Sequence, residues 1–568
     1  MTVGHDKSAR LSRRNFIGLG GAAVAGAAAA GLAGCSPAKS SDSSPSTGSG
    51  AGAKGGGYAW QTKPEPITDI AETKDFDIVI VGAGMAGSAA AEAASRNGAK
   101  VAVIEQMDTF SARGVDNGSL NNSWHKRNGM SFPEDTATRL LYQWSQQTAN
   151  YNLIKTWATR SGKVFDYLEE MTPKHGITMI QAVSPTAKYG WEDNHERWRV
   201  YPDAVSFTAE GDVGMMAGDG VHGMNLHLVQ AFVDEATASG AEFFWENHAE
   251  QLVGDAASGI SGVIAKAADG SYIQYNASKG VIMATGDIGG NPDLLEFFCP
   301  IVQTADLNMY TPPGANKGEG LIMGMWAGAA HSKSPAAPMV HQFTSDTLNF
   351  TLTSFVMCWL AVNRNGERYG AEMPLEPYLT NARLNTPGSI AWSIFDSDYP
   401  KYVQAQFPET YEAILEKIPA QIEEYLANGI LVKADSLEEL AQKIEVPPEA
   451  LKNTVEAYNK WLPAGEDSQF GVPPRWLSQV QTAPFYATKN VASILTVPFG
   501  LHVNDDSQVC TEADEPIKGL FAIGNVQGDF FGMSYPVHCP GVSHGRCITF
   551  GQLVGEALAK DTVITQTA

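Results

Sequence analysis

The chain has 568 residues, 43% of them hydrophobic, with 39 basic and 62 acidic side chains and a formal charge of −23. A surface of that sign repels nucleic acid and excludes it as a partner. Six cysteines form neither a CxxC nor a CxxCH pair, which argues against closely ligated iron–sulfur clusters, c-type haem and a disulfide-stapled scaffold.

The N-terminus reads as an address. SRRNFIG, Ser12 to Gly18, precedes a small, apolar run without acids and resembles a twin-arginine export signal, used by proteins that cross membranes already folded. LAGC, Leu32 to Cys35, resembles a lipobox, so Cys35 is the expected lipidated residue. Residues 1–35 are therefore read as signal, and 36–73, rich in Ser, Gly, Ala and Pro, as a flexible tether. Removing four basic residues and one acid ahead of Cys35 leaves a charge of −26. The expected location is the extracytoplasmic side of a cell envelope, with membrane contact through the lipidated end.

Asp77 to Glu105 has the order of a dinucleotide-binding unit: a buried strand, a glycine turn, a helix, and a second strand ending in an acid. Gly82 permits the turn, Gly84 lets backbone approach a pyrophosphate, and Gly87 lets the helix pack close to the sheet. Ala83 and Ala86 lie within that turn and first helical turn. Glu105, with Gln106 beside it, stands where a carboxylate accepts hydrogen bonds from ribose hydroxyls.

Helical segments are expected from about 132 to 171, then an interval 185–224 dense in aromatic residues, including Tyr189, Trp191, Trp198 and Tyr201. That interval reads either as an entry rim favouring a planar guest or as a buried connector. An extended run follows from Ala241 through Tyr275, and GVIMATGDIGGN, 280–291, is a second buried strand ending in glycines. AVNRNGERY reads as a hairpin about Asn365-Gly366, with amphipathic helices near 410–427 and 436–460. PIKGLFAIG, 516–524, returns to a strand, and ITFGQLVGEALA from Ile548 reads as a closing helix.

Together these landmarks resemble the fumarate reductase and 3-ketosteroid dehydrogenase superfamily of FAD proteins. They are GAGMAG at 82–87, ATGDIGGN at 284–291, NKGEGLIMGMWAGA at 316–329, VNRNGERY at 362–369, the 437–459 stretch and GLFAIGN at 519–525. The resemblance implies an α/β fold: a Rossmann-like FAD-binding domain in two segments, 74–330 and 491–568, with an α+β capping catalytic domain, 331–490, inserted between them. It places Ala284, Thr285 and Gly286 on the adenine side, Gly524 and Asn525 past the ribityl-pyrophosphate, and Gly545 to Ile548 at the N-terminus of the last helix. There, free N–H groups would favour charge on the reduced ring, unless the segment is simple helix entry. The histidine that tethers FAD covalently in succinate dehydrogenase-like members is not recognisable in SARGVDNG, 111–118, so FAD is expected to be non-covalent, with His125 the one nearby histidine.

On the catalytic side the pattern departs from the fumarate branch. Counting on from Arg368 reaches Glu376 where the resemblance calls for a proton-delivering arginine, with Arg383 seven residues later, and YPVHCPGVSHGR replaces the carboxylate-holding element. A dicarboxylate needs convergent cations, so fumarate is not the expected substrate. Tyr535 to Gly541 instead resembles the Y-P-x-x-G element of ketosteroid dehydrogenases, which implies that Tyr535 and Gly541 polarise a substrate carbonyl. For Tyr535 the alternative is aromatic packing. His538, His544 and Tyr378 are proton-donor candidates with structural alternatives, and Arg546 has a carboxylate-pairing or a structural reading. His538, Cys539, His544 and Cys547 lack a tetrahedral-site spacing, and no metal is expected.

The expected function is FAD-dependent reduction of a carbon–carbon double bond conjugated to a carbonyl, in an aromatic or polycyclic substrate. The external electron donor would be a membrane quinol route or a cytochrome. The alternatives are a ketosteroid-like dehydrogenase working oxidatively, and a flavin lipoprotein that carries electrons or ligand without catalysis.

Overall fold

A computed structural model describes residues 57–182, 203–210, 225–308, 311–312, 314–343, 357–372, 376–408, 411–536 and 538–566. The signal, most of the tether and the four aromatic residues named in 185–224 lie outside the described residues, as does the Tyr378 side chain.

The nucleotide unit forms as its pattern requires, as β1 (Ile70–Val81), α1 (Met85–Arg96) and β2 (Val101–Ile104). α1 is built from alanine, glycine and serine and is buried from Met85 to Ser95, because it lies between the sheet and the last helix. There follow β3 (Asn117–Gly118), α2 (Ser123–Arg127), α3 (Glu134–Trp144), α4 (Tyr151–Met171), β4 (Thr178–Gln181), β5 (Ala204–Thr208) and α5 (Leu226–Ala238). The expected extended run is β6 (Glu242–Phe244), β7 (His248–Asp255), β8 (Gly259–Lys266) and β9 (Tyr272–Met283). α6 (Pro292–Phe298), α7 (Glu319–Trp326) and β10 (Met339–Phe343) lead towards the cap.

The cap contains β11 (Leu360–Asn363), α8 (Glu376–Leu384), β12 (Ala391–Asp396), α9 (Tyr399–Gln406), α10 (Tyr411–Ala427), β13 (Leu431–Ala434), α11 (Leu437–Lys443), α12 (Pro448–Ala464) and β14 (Phe485–Lys489). The chain returns through β15 (Val491–Thr496), β16 (Gln508–Cys510) and β17 (Pro516–Ala522), and closes with α13 (Val542–Ala559).

The main sheet runs β16-β17-β9-β1-β2-β6, with β8 also paired to β9 and β7 to β8. β17, from the far end of the sequence, is parallel to β9 with Leu520 opposite Val281. The two-segment Rossmann-like architecture is thus one continuous sheet. The cap has its own sheet, β11-β12-β14-β13, and its own core around Trp359, Phe395, Tyr425 and Tyr458. β3-β5-β4 make a small third sheet over the start of α13.

Two sequence expectations need correction. The Asn365-Gly366 turn forms, but its second arm contributes only an isolated bridge from Arg368 to Val362, and β11 pairs with β12 instead. The closing helix begins at Val542, six residues before Ile548. Polar Ser543, His544 and Arg546 hide this start from a hydrophobic-period reading, yet Ser543 and Arg546 are buried.

Candidate active site

The C-terminal ends of β1, β9 and β17 and the N-termini of α1 and α13 converge, as expected of a ligand crevice in an open α/β sheet. Gly82 has φ +103 and its N–H donates to the Ile104 carbonyl at 2.8 Å. A Cβ on Gly87 would lie 1.9 Å from the Gly82 oxygen, so the helix can sit this close only with glycine there. Gly84 has ordinary backbone angles, and a Cβ there would meet only Ser111 O, at 3.9 Å. Its missing side chain leaves open space facing the first turn of α1, whose early N–H groups have no side-chain cap and suit an anion.

Glu105 is buried and accepts hydrogen bonds from Ala83 N at 2.7 Å and Met107 N at 3.0 Å. Burial pushes its carboxyl pKa up, and those backbone donors oppose the shift. Its carboxylate therefore braces the glycine turn from behind. Gln106 follows it, half-buried. Ala86 packs below Gly524, whose Cβ would sit 2.9 Å from the Ala86 methyl. Along the β9 extension, Thr285 Oγ1 is buried without a partner, and so is Asn316 Nδ2 beside Gly286. The open face at Gly84, the α1 turn and these orphaned polar atoms fit an adenine dinucleotide.

Gly541, at φ +71, is the N-cap of α13 and packs against the Asp116–Asn117 backbone. Its carbonyl accepts from Gly118 N at 2.9 Å and from Gly545 N at 2.9 Å. The amide of Gly545 is thus spent inside the helix, and Ile548 is a buried position two turns in. The early N–H groups of α13 belong to residues just after Gly541, which corrects the assignment to Gly545–Ile548. Gly545 serves packing instead: a Cβ there would lie 1.7 Å from Gly118 O.

Tyr535 lies in the same neighbourhood, 8% exposed, tilted against Phe531 at 4.9 Å and hydrogen-bonded with Ser543. Burial pushes its hydroxyl up to about 12, so it remains a protonated donor. Ser543 Oγ donates to Asn525 Oδ1 at 3.3 Å, and Arg546 Nη2 donates to the same oxygen at 2.6 Å. Arg546 is fully buried over Phe530 and Phe531 and also donates to the Gln527 carbonyl at 3.4 Å. Its structural reading is the one its contacts support: it fixes Asn525.

His544 Nδ1 lies 2.8 Å from the Asp116 carbonyl. Burial lowers its pKa to about 4, so the ring is neutral, Nδ1 carries the proton and donates, and Nε2 keeps a lone pair. His538 is buried with its ring 4.6 Å from Trp144. Arg383, on α8, is buried and ion-pairs through Nη2 with Asp306 at 2.8 Å, while its Nε and Nη1 have no partner among the described residues. Tyr378 lies on α8 as well. His125 is buried in α2, edge-on to Phe132 at 5.0 Å, within a packed core. The cysteines 299, 358, 510, 539 and 547 are free and buried.

Sequence reasoning missed a second polar group of the crevice. Asp287, fully buried, accepts from Gly289 N at 2.9 Å, Asn525 Nδ2 at 3.3 Å and the Thr496 hydroxyl. Arg113 Nη2 lies 3.6 Å from the same carboxylate. The signal was present in SARGVDNG and ATGDIGGN, where one basic and one acidic residue interrupt glycine-rich turns.

Residues 77–538 match the FAD binding domain family. Vinyl phenol reductase of Lactiplantibacillus plantarum is 24% identical over 524 residues, covering 87% of this chain and 98% of that protein. Fumarate reductase (cytochrome) of Shewanella frigidimarina is 24% identical over 531 residues, covering 88% and 82%. In fold, the solved 3-ketosteroid-delta4-(5alpha)-dehydrogenase of Rhodococcus jostii superposes with a TM-score of 0.66 at 20% identity, over 87% of this chain and 98% of that one. A family match across most of the sequence agrees with a crevice shaped for an adenine dinucleotide: the chain belongs to the FAD binding domain family and is an FAD-binding oxidoreductase that holds its cofactor non-covalently.

Proposed function

We propose that the protein acts on a CH–CH bond beside a ring carbonyl, ketosteroid dehydrogenase-like, with Tyr535 as donor to the carbonyl oxygen and Gly541 backbone beside it. The observation that carries this reading is the buried, protonated Tyr535 hydroxyl, hydrogen-bonded with Ser543 at the start of α13. When bound, FAD supplies two-electron chemistry at carbon. Tyr535 polarises the carbonyl, which acidifies the neighbouring C–H and stabilises enolate charge. The low dielectric around Phe531 and Arg546 strengthens that hydrogen bond.

The dehydrogenating direction is favoured by what the side chains can do with a proton. His544 is neutral and offers an acceptor nitrogen. Arg368 is consumed by Glu372 and Asp467, so it does not stand ready as a proton-delivering cation, and Arg383, held by Asp306 through Nη2 alone, is the candidate cation of the reductive reading. A second reading, reduction of a conjugated double bond in an aromatic, non-dicarboxylate substrate, is supported in substrate type by the name of the vinyl phenol reductase and, in its reductive direction alone, by that of the fumarate reductase.

Anaerobic assays separate the directions: oxidised enzyme with saturated ring ketones and a dye acceptor, against chemically reduced enzyme with enones, cinnamates and steroid enones. Tyr535→Phe keeps the ring and removes the donor, and should slow substrate-dependent flavin turnover by about 100-fold or more while FAD stays bound. Near-normal turnover in that variant would refute the assignment.

We further infer a first FAD-domain segment to 330 that starts before residue 74, since β1 begins at Ile70 and Trp326 Nε1 donates to the Trp60 carbonyl, then a cap of 331–490 and a second segment of 491–568, with export by the twin-arginine route, lipidation at Cys35, and a membrane quinone or separate cytochrome as electron partner. SRRNFIG and LAGC support the export and lipidation readings. Arg13 and Arg14 changed to Lys should strand folded precursor inside, and Cys35→Ala should abolish lipid labelling; a lipid-labelled Cys35→Ala protein would reject the anchor.

A further inference from the structure

We propose that Asp203 is a second polar contact of the substrate, its carboxyl holding a neutral hydroxyl or carbonyl oxygen at the end of the molecule away from Tyr535. The inference rests on the reading that puts the substrate carbonyl at Tyr535 and Gly541, and it adds the chemistry of the other end.

Among the described residues seven carboxylic side chains are buried. Six of them, Glu92, Glu105, Asp287, Glu372, Asp396 and Asp467, accept hydrogen bonds from side chains or backbone N–H groups. Asp203 is the exception: it is fully buried, and neither carboxyl oxygen has a partner among the described residues. A buried polar group left unpaired destabilises a fold, and a packed apolar side chain of similar size would carry no such cost. What the carboxyl offers instead is one O–H donor and spare acceptor capacity in its neutral form, the chemistry that suits an uncharged oxygen.

Its position follows from strand pairing. Asp203 directly precedes β5, whose Ala204 lies opposite Gly118 of β3. Gly118 in turn touches the loop that carries the carbonyl site: its N–H donates to the Gly541 carbonyl at 2.9 Å, and a Cβ on it would lie 2.8 Å from Pro540 O. The carboxyl reaches the same loop, because its charge adds to burial in pushing the Cys539 thiol up. Burial holds the Asp203 carboxyl well above the usual carboxylate range, and Asp116 nearby adds to the shift, so the group stands as a protonated donor. A ligand that brings a hydroxyl or carbonyl oxygen finds that donor in place, whereas one that brings a cation meets an acid that must first ionise.

Binding to oxidised holoenzyme, read by perturbation of the flavin band, tests this without turnover. The probes are a phenyl-substituted cyclohexenone and its para-hydroxyl and para-aminomethyl forms, which share the ring ketone and differ only at the far end. Wild-type protein should hold the hydroxyl form about tenfold more tightly than the unsubstituted ketone. Asp203→Leu should erase that preference and leave the unsubstituted ketone within about threefold of wild type, and Asp203→Ala repeats the test with a smaller side chain. Asp203→Asn keeps a neutral donor and acceptor and should retain most of the preference. Tyr535→Phe should weaken all three ketones alike.

Equal weakening of the hydroxyl and unsubstituted ketones in Asp203→Leu and Asp203→Ala would overturn the proposal, since the acid would then only shape the loop. A hydroxyl preference that survives both variants, or is absent from wild type, overturns it as well. Tightest binding of the aminomethyl form, lost in Asp203→Asn, would replace it with an ionised, cation-binding acid. The two readings separate: normal binding of all three ketones by Tyr535→Phe, with the hydroxyl preference lost in Asp203→Leu, refutes the carbonyl assignment alone, and the reverse pattern refutes the Asp203 assignment alone.

Discussion

Arg368, from which the family's spacing reaches Glu376 and not a proton-delivering arginine, is the ionic centre of the cap. Its side chain is 1% exposed and donates to Glu372 through Nε at 2.9 Å and Nη2 at 2.5 Å, and to Asp467 through Nη1 and Nη2 at 2.9 and 2.8 Å. Tyr458, Trp461 and Phe470 ring the guanidinium at 4.7 to 5.3 Å. Arg368→Met roughly keeps the volume and the aromatic contacts but strands two carboxylates. Asp467 retains N–H donors from Gln469, Phe470 and Val472, whereas Glu372, among the described residues, retains the Ala361 N–H and its own backbone N–H. The penalty therefore falls mainly on Glu372, and breaking such a buried pair costs about 3–5 kcal/mol. Adding Glu372→Gln should recover about 1–2 kcal/mol by removing the stranded charge. Urea unfolding of the holoprotein, followed by tryptophan fluorescence and by flavin absorbance, measures both. A cost below about 1 kcal/mol for Arg368→Met, or a double variant as unstable as the sum of the singles, would refute the account.

His125 and His544 are lowered by burial to about 4, and His341 to about 3. The folded state then binds fewer protons than the unfolded one below pH 6.5, so their contribution is complete above 6.5 and lost as pH falls towards 4. Thermal midpoints measured across that range should drop steeply, and a flat profile contradicts neutral buried imidazoles. Asp203 behaves oppositely: fully buried, with neither carboxylate oxygen paired to another of the described residues, it has a raised pKa, so its cost to the fold grows as pH rises above 3.8. Asp203→Asn should stabilise the protein at pH 7 by about 1–3 kcal/mol and much less at pH 4; equal effects at both would count against a buried, proton-holding acid. Gly545→Ala drives a methyl into Gly118 O and should abolish FAD loading while leaving far-ultraviolet circular dichroism near normal, whereas full loading would mean that this contact is not tight.

How far the sequence could be read depended on the range of the interactions involved. The β1–α1–β2 unit was legible because its strand hydrophobicity, glycines and Glu105 are specified within one local stretch. The return of β17 to β9 was legible through the repeated strand-plus-glycine pattern of 280–291 and 516–524. The start of α13 was not. The first turn of α13 packs on the backbone of Asp116 to Gly118, more than four hundred positions earlier, and no local periodicity reports that contact. Arg113 and Asp287 escaped for the same reason: each looks like an ordinary turn residue until the fold brings the turns together. Tyr535 was legible by resemblance alone, since its Ser543 partner and its burial depend on tertiary packing.

The seam between α1 and α13 bears on how the molecule is made. Gly551 and Gly555 let the last helix rest directly on the backbone of Ala86 and Ala90, and β17 completes the sheet beside β9. A ribosome-bound chain that has emerged only as far as the cap has therefore exposed its nucleotide turn without the lid of the crevice. Stable cofactor capture must await β17 and α13, so holoenzyme assembly can only follow synthesis of the entire cap.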